Sequence, residues 1–184
     1  MILVVIPAKG KSGRLPNKNM ISIFGKPLIY YTIDYAKKSL LVGKIIVSTE
    51  SKKIINYAKK QKIGFVKRPK HLCGETPIIE VYRHAYNLLK KKYKIKFIIG
   101  LQPDHPDREI NLDWTISFFK KKKLDFLYSK DAKNIKNGAH YIVGKRFLDN
   151  RPAIKKAFIV DNCTNIHFFS DLKSAKKNLR LINK

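Results

Sequence analysis

Acidic residues are scarce in this chain: 13 Asp and Glu stand against 40 Lys and Arg in 184 residues, a formal net charge of +27. Polyanions are therefore the first partners to consider, whether nucleic acid, acidic lipid or phosphorylated small molecules. Arginine is scarce as well, at 7 against 33 lysines. An interface that reads nucleic acid favours Arg, so no specific nucleic-acid partner is expected and most of the lysine reads as solvated surface. The alternative, a nucleic-acid-binding module, predicts steep salt dependence. Cysteine is limited to Cys73 and Cys163, whose spacing suggests neither a disulfide framework nor a zinc site, as in a reducing cytoplasm. Long apolar runs are missing. The run Ile2 to Ile6 is short for a signal-peptide core, and nothing approaches the ~18 residues of a membrane span. The expectation is a soluble, cytoplasmic protein with no membrane partner. Linkers and repeats are absent too, so residues 1–184 read as one domain.

What the chain does contain is a series of short Ile/Val-rich runs at 2–6, 44–48, 64–66, 97–101 and 125–129. Near-continuous apolar runs belong to strands covered on both faces. Between them lie stretches with helical spacing at 27–39, 51–61, 77–92 and 109–122; in the third, Ile78, Val81, Tyr82, Ala85, Leu88 and Leu89 share a face. The lysine blocks at 90–96 and 120–123 close two of these helices, where cations suit the dipole. Strand and helix alternating in this way predict an α/β fold: an open, mostly parallel, Rossmann-like sheet with helices on both faces. Ligands of such sheets sit outside the carboxyl ends of the strands, which directs attention to the loops after Ile6, Ser48, Val66 and Leu101.

The first of these loops is "PAKGKSGRLPNKN", residues 7–19. Gly10 and Gly13 would let backbone amides converge on an anion, and Lys9, Lys11, Arg14 and Lys18 supply positive charge. The chemistry suggested is triphosphate binding. A P-loop is excluded, since the glycine it requires falls at Val5, and the dinucleotide GxGxxG pattern is absent. A plain basic turn is the bland reading. After Leu101, "QPDHPDR" gathers Gln102, Asp104, His105, Asp107 and Arg108, a cluster natural at a metal or phosphate site. Its alternative is that Asp104 and Asp107 cap the following helix.

Together with "GKPLIYYTIDYA" at 25–36, "KIIVSTES" at 44–51, "VKRP" at 66–69, "LQPDHP" at 101–106 and "NGAHYI" at 137–142, the first loop resembles the cytidylyltransferases that activate acidic sugars as CMP conjugates. Both the acylneuraminate branch (sialic, pseudaminic and legionaminic acids) and the 3-deoxy-octulosonate branch share features with it. The resemblance implies a fold of the nucleotide-diphospho-sugar transferase type and transfer of CMP from CTP to an acidic sugar, with release of pyrophosphate. It implies nucleotide binding by Ala8, Lys9, Gly10, Ser12, Arg14, Lys18, Asn19, Arg68 and Thr76, with Lys9, Arg14, Lys18 and Asp104 carrying catalysis. Gln102 and Arg108 are candidates for the acceptor. For Arg68 and Thr76 the bland alternatives are a solvated arginine before a turn proline and a helix cap.

Two departures qualify these expectations. The family's closing "DID" is replaced by Asn165 and His167, so two neutral groups stand where carboxylates would complete a Mg²⁺ site. Asp104 and His167 remain as metal candidates, with Asp107 or Asp161 able to compensate, and an imidazole ligand would favour Mn²⁺. His167 could equally be a packed strand residue. The family's dimerisation arm is also missing: only Lys130 to Lys136 lie between the strand at 125–129 and "NGAHYI", which implies a monomer or an atypical homodimer. Both departures keep open a degenerate member that binds nucleotide or another polyanion without turnover.

Overall fold

The computed structural model of the chain describes residues 1–182. In chain order it runs β1 (Ile2–Pro7), the short pair β2 (Ser22–Ile23) and β3 (Lys26–Pro27), α1 (Leu28–Lys37), β4 (Lys44–Thr49), α2 (Lys52–Lys60), β5 (Gly64–Lys67), α3 (Ile78–Leu89), β6 (Phe97–Gly100), α4 (Leu112–Lys121), β7 (Phe126–Lys130), β8 (Lys136–Gly144), α5 (Lys145–Leu148), β9 (Lys156–Val160) and α6 (Phe169–Ile182). Seven strands form one sheet in the order β5-β4-β1-β6-β8-β7-β9, while β2 and β3 pair separately. The pairs β1–β4, β1–β6, β4–β5 and β7–β9 are parallel; β8 alone runs against its neighbours β6 and β7.

Strand periodicity sorts the core into two layers. Ile2, Val4 and Ile6 of β1 face Ile29 and Ile33 of α1, Ile54 of α2 and Ile116 of α4. Leu3 and Val5 point the other way, toward Tyr82 and Ala85 of α3 and Leu148 of α5. Complete burial of all five residues from Leu3 through Ile6 and Ala8, bar the half-buried Pro7, explains why this strand reads as an unbroken apolar run. A third cluster joins Leu15, Ile23 and Leu28 to Ile166, Leu172, Ala175 and Leu179, so α6 folds back over the base of the first loop.

The five strands and four helices read from periodicity all form. Those not read are β2, β3, β8, β9, α5 and α6. Of these, β8 opens on the turn-like pair Asn137-Gly138, and α6 is polar over most of its length. The antiparallel β8 arises from the short connection after β7. Asp131 N–H donates to Ile135 O at 2.9 Å, Ile135 N–H to Asp131 Oδ1 at 2.8 Å, and Asn134 takes a left-handed φ of 63°. A closed hairpin therefore joins β7 to β8. Among the described residues no helix is long and apolar enough to cross a membrane.

Candidate active site

The order of strands reverses beside β1: the chain steps from β1 outward through β4 to β5, then returns to place β6 on β1's other flank. Loops at such a switch point diverge and leave a crevice. Here the crevice is a cleft of about 470 Å³. The first loop contributes Lys9, Ser12, Arg14, Lys18 and Asn19; the segment after β5 brings Arg68 and Thr76; the loop after β6 brings Gln102 and Asp104; and His167 arrives from the strap between β9 and α6. These ten were all singled out in the sequence.

The first loop is held by anchors rather than by glycine flexibility. Leu15 is fully buried in the third cluster, and buried Asn19 donates from Nδ2 to Lys9 O at 2.8 Å, which closes the loop on itself. Among the described residues Asn19 Oδ1 is buried without a hydrogen-bond partner. Neither Gly10 nor Gly13 adopts a positive φ; the left-handed residue is Asn17, at 53°. Gly10 is required instead by close approach, because a Cβ there would lie 2.7 Å from Ser51 Cβ. Its N–H donates to Glu50 Oε1 at 2.6 Å. The expected role of Gly10 in cradling an anion with this amide is thus corrected: a carboxylate already occupies it. Ala8 is a fully buried core residue whose N–H donates to Ser48 O.

Across the cleft, Lys18 ties three segments together. Its Nζ donates to Asp104 Oδ2 at 2.6 Å and to Ile166 O at 2.8 Å. Arg14 Nη1 lies 3.2 Å from His167 Nδ1. A guanidinium only donates, so Nδ1 accepts and the imidazole is neutral. Burial, then the nearby Lys18 cation, lowers the His167 pKa and agrees with that state. Arg68 is buried and spends Nη2 and Nε on Ser48 O and Oγ, at 2.7 and 3.3 Å. Burial lowers its pKa, while Glu50 opposes the shift. Thr76 does not cap α3, whose N-cap is Pro77; its hydroxyl donates to His71 O at 2.7 Å and ties off the turn.

Gln102 faces the cleft with Gly138 behind it. Gly138 has a φ of +84°, and a Cβ there would sit 2.8 Å from Gln102 Cδ, so glycine both permits the turn and seats the glutamine. Arg108 is not an acceptor ligand. It is buried, donating from Nε to Ala139 O at 3.0 Å and from Nη1 to Thr32 Oγ1 at 2.9 Å, with further bonds to the carbonyls of His105 and Gln102. It stitches the 101–111 loop to β8 and α1.

Glu75 lines the cleft, whereas two carboxylates outside its lining have structural duties. Asp107 accepts from Thr164 N–H at 2.9 Å, Thr164 Oγ1 at 2.7 Å and Asn178 Nδ2 at 2.8 Å. Asp161 is fully buried against His140 Nε2 at 3.0 Å. Neither compensates for a missing metal ligand. Asn165 lies in a separate groove beside Lys136 and Cys163, apart from His167. Among the described residues, no group of three or more His, Cys, Asp or Glu could hold a metal ion. Sequence reasoning passed over Glu50, which fixes the first loop, and the apolar wall of Leu72, Ile78 and Val81. Glu50 follows the end of β4, so the carboxyl-end rule was the signal that could have found it.

Comparison with known proteins places this geometry in context. Residues 3–106 match the model of the cytidylyltransferase family. The 3-deoxy-manno-octulosonate cytidylyltransferase of Chloroherpeton thalassium is 32% identical over 104 residues, covering 56% of this chain and 39% of that protein. A pseudaminic acid cytidylyltransferase of Campylobacter jejuni is 36% identical over 96 residues, 50% of this chain and 41% of its own length. The chain thus spans less than half the length of these curated relatives. Among solved structures, a CMP:2-keto-3-deoxy-manno-octonic acid synthetase complexed with CTP superimposes with a TM-score of 0.78 at 14% identity, covering 98% of this chain and 99% of that one, and so shares the fold.

Proposed function

Because the chain belongs to the cytidylyltransferase family, we propose that it transfers CMP from CTP to an acidic sugar, sialic-acid-like or octulosonate-like, and releases pyrophosphate. The observation that carries this reading is the convergence of Lys9, Arg14, Lys18 and Arg68 on one cleft at the switch point of the sheet. An acceptor hydroxyl would attack the α-phosphorus in line, forming its P–O bond as the bond to the β-phosphate breaks. Positioning and charge neutralisation supply most of the catalysis in such transfers. Lys9, Arg14 and Lys18 would take the triphosphate oxygens and stabilise the departing pyrophosphate. The unpartnered Oδ1 of Asn19 suits a ligand N–H or O–H, and Gln102 suits the acceptor.

The divalent ion proposed with CTP is Mg²⁺, or Mn²⁺ if His167 coordinates. Mg²⁺ sites are often built from one or two carboxylates plus substrate phosphates, and Asp104 fits that minimal arrangement once Lys18 turns from it to phosphate. Bound there, the ion would neutralise charge on the triphosphate. The oligomer proposed is a monomer, or a homodimer whose contact lies outside the short β7–β8 hairpin.

A second reading, nucleotide binding without turnover, is favoured by the Lys18–Asp104 ion pair and the absence of a three-ligand cluster among the described residues. Pyrophosphate release, measured with CTP, either ion and a panel of sugar acids, separates the two. Turnover by the wild type, with Asp104→Asn at least about tenfold slower for loss of a charged ligand worth more than ~1.4 kcal/mol, supports the enzyme. CTP binding with no release on any acceptor supports the second reading, and an Asp104→Asn variant as active as wild type would show the site to be wrongly assigned.

A further inference from the structure

Helices that return across a parallel sheet end over the amino ends of the strands, opposite the ligand loops. In this chain those helix ends are where lysine concentrates. Lys37 closes α1 and donates to Gln61 O, just past α2, at 3.0 Å. Lys44, which opens β4, and Lys92, just after α3, both approach the Tyr93 ring, at 5.0 and 5.6 Å. Lys120 and Lys121 close α4. This end of the molecule is therefore a basic surface facing away from the cleft.

Set into it is an apolar tip. Asp113, in the first turn of α4, accepts from Ser39 Oγ, from Leu40 N–H at 2.9 Å and from Leu41 N–H at 3.4 Å, so one carboxylate fixes the turn after α1. The turn displays Leu40 at 93% exposure and Leu41 at 39%. Trp114, next to Asp113, is 53% exposed and stacks on Phe118 with ring centroids 5.4 Å apart. A single exposed leucine means little. Here two exposed leucines whose N–H groups bind Asp113 accompany that residue's chain neighbour Trp114, and together they form a patch.

We infer that this end of the molecule docks on the surface of an anionic lipid bilayer, with Leu40, Leu41 and Trp114 entering the headgroup region and the helix-terminal lysines meeting lipid phosphates. Peripheral attachment of this kind needs apolar insertion and electrostatic attraction together, and both are here. Nucleic acid would use the lysines but leave the leucines without a role. A second copy would bring another +27 charge against this face. The docked protein keeps its cleft toward solvent. Docking of this kind needs no membrane-spanning helix, and none is present among the described residues.

Trp114 is the sole tryptophan, so its fluorescence reads this surface directly. The experiment mixes the full chain with vesicles of phosphatidylcholine alone or with phosphatidylglycerol added, and follows co-sedimentation, emission wavelength and quenching by brominated acyl chains. Binding to the anionic vesicles only, with a blue shift and quenching, is expected. Leu40→Ser with Leu41→Ser should weaken binding by about tenfold or more, from the apolar burial lost, and Lys120→Gln with Lys121→Gln should weaken it at low salt. Circular dichroism and CTP binding check that both variants fold. The inference is overturned by an unshifted, unquenched Trp114, by equal binding to neutral vesicles, or by a leucine variant that binds like wild type. It is also overturned if single-stranded RNA at equal phosphate concentration displaces the protein from the vesicles while the leucine variant competes as well as wild type.

Discussion

Arg14 and Arg108 both follow a buried strand within a charged loop, yet they end in opposite roles, because a guanidinium takes whatever acceptors the fold brings to it. Arg108 meets four protein oxygens and is buried. Arg14 stays exposed at the cleft, hydrogen-bonded to the His167 ring. Replacing Arg14 with alanine should weaken CTP binding by about 1.5 to 3 kcal/mol, the range of a hydrogen bond to a charged group, and leave the melting temperature nearly unchanged. Titration calorimetry checks the first outcome and a thermal melt the second. The residue types of the cleft were legible because cations after a core strand have few other uses. The partner of each was not legible. Gly10 shows this well: its neighbour Glu50, 40 positions away, takes the amide that a loop-by-loop reading assigned to phosphate.

At the scale of elements, the strap from Asp161 to Phe168 governs the site from its far side. It presents Ile166 O to Lys18 and His167 to Arg14, and its backbone joins the 101–111 loop through Ile166 N–H to Asp104 O at 3.0 Å. Asp107 holds this strap and α6 at once, through Thr164 and Asn178. Asp107→Ala should therefore loosen α6 and lower CTP affinity, although Asp107 never reaches the cleft. Hydrogen exchange is the measurement: faster exchange in α6 and the strap, with the β1–β4–β6 amides unchanged, is expected. Exchange in α6 equal to wild type would deny Asp107 that duty. The strap and α6 were hard to read in sequence because their apolar residues are few. Their placement comes from Leu172, Ala175 and Leu179 meeting Leu15 and Ile23, partners some 150 positions earlier.

For the molecule as a whole, a buried polar network between β8, the 101–111 loop and the strap links stability to pH. His105 Nε2 lies 2.8 Å from Asn137 O, while Nδ1 lies 3.1 Å from Thr164 O and 3.6 Å from Cys163 Sγ. A neutral ring carries one N–H and can donate to only one of these two carbonyls, and burial drives the Cys163 pKa upward, so the thiol stays protonated. Burial, with the Arg108 cation adding to it, lowers the His105 pKa to about 3. The unfolded chain therefore binds one more proton than the folded one from pH ~6.5 down to ~3, and folding stability falls in that window by about 1.4 kcal/mol per pH unit. Burial raises the Asp161 pKa, but the His140 and Cys163 donors outweigh it and set the value at about 2. Its contribution is complete above the unfolded value of ~3.9 and disappears as pH falls toward 2. Urea unfolding at pH 7 and pH 5 should differ by about 2 kcal/mol, the span of His105 below ~6.5. His105→Gln should reduce the difference; an unchanged slope would assign the acid sensitivity elsewhere.

The strands Ile2–Pro7, Lys44–Thr49 and Phe97–Gly100, with the helices between them, follow from local patterning, because near-continuous apolar runs belong to strands covered on both faces; Gly64–Lys67 shows only a short apolar run and is an exposed edge strand. From that, the sheet, its carboxyl-end loops and the cations around the cleft could be read without coordinates. Tertiary structure decided the rest: that β8 runs antiparallel, that α6 closes under the first loop, that Arg108, Asp107 and Asp161 are structural while Arg14 and Asp104 face the cleft. A hydrogen-bonding side chain commits to the nearest acceptor or donor in space, and sequence separations from 20 to over 150 residues carry no record of which group that will be.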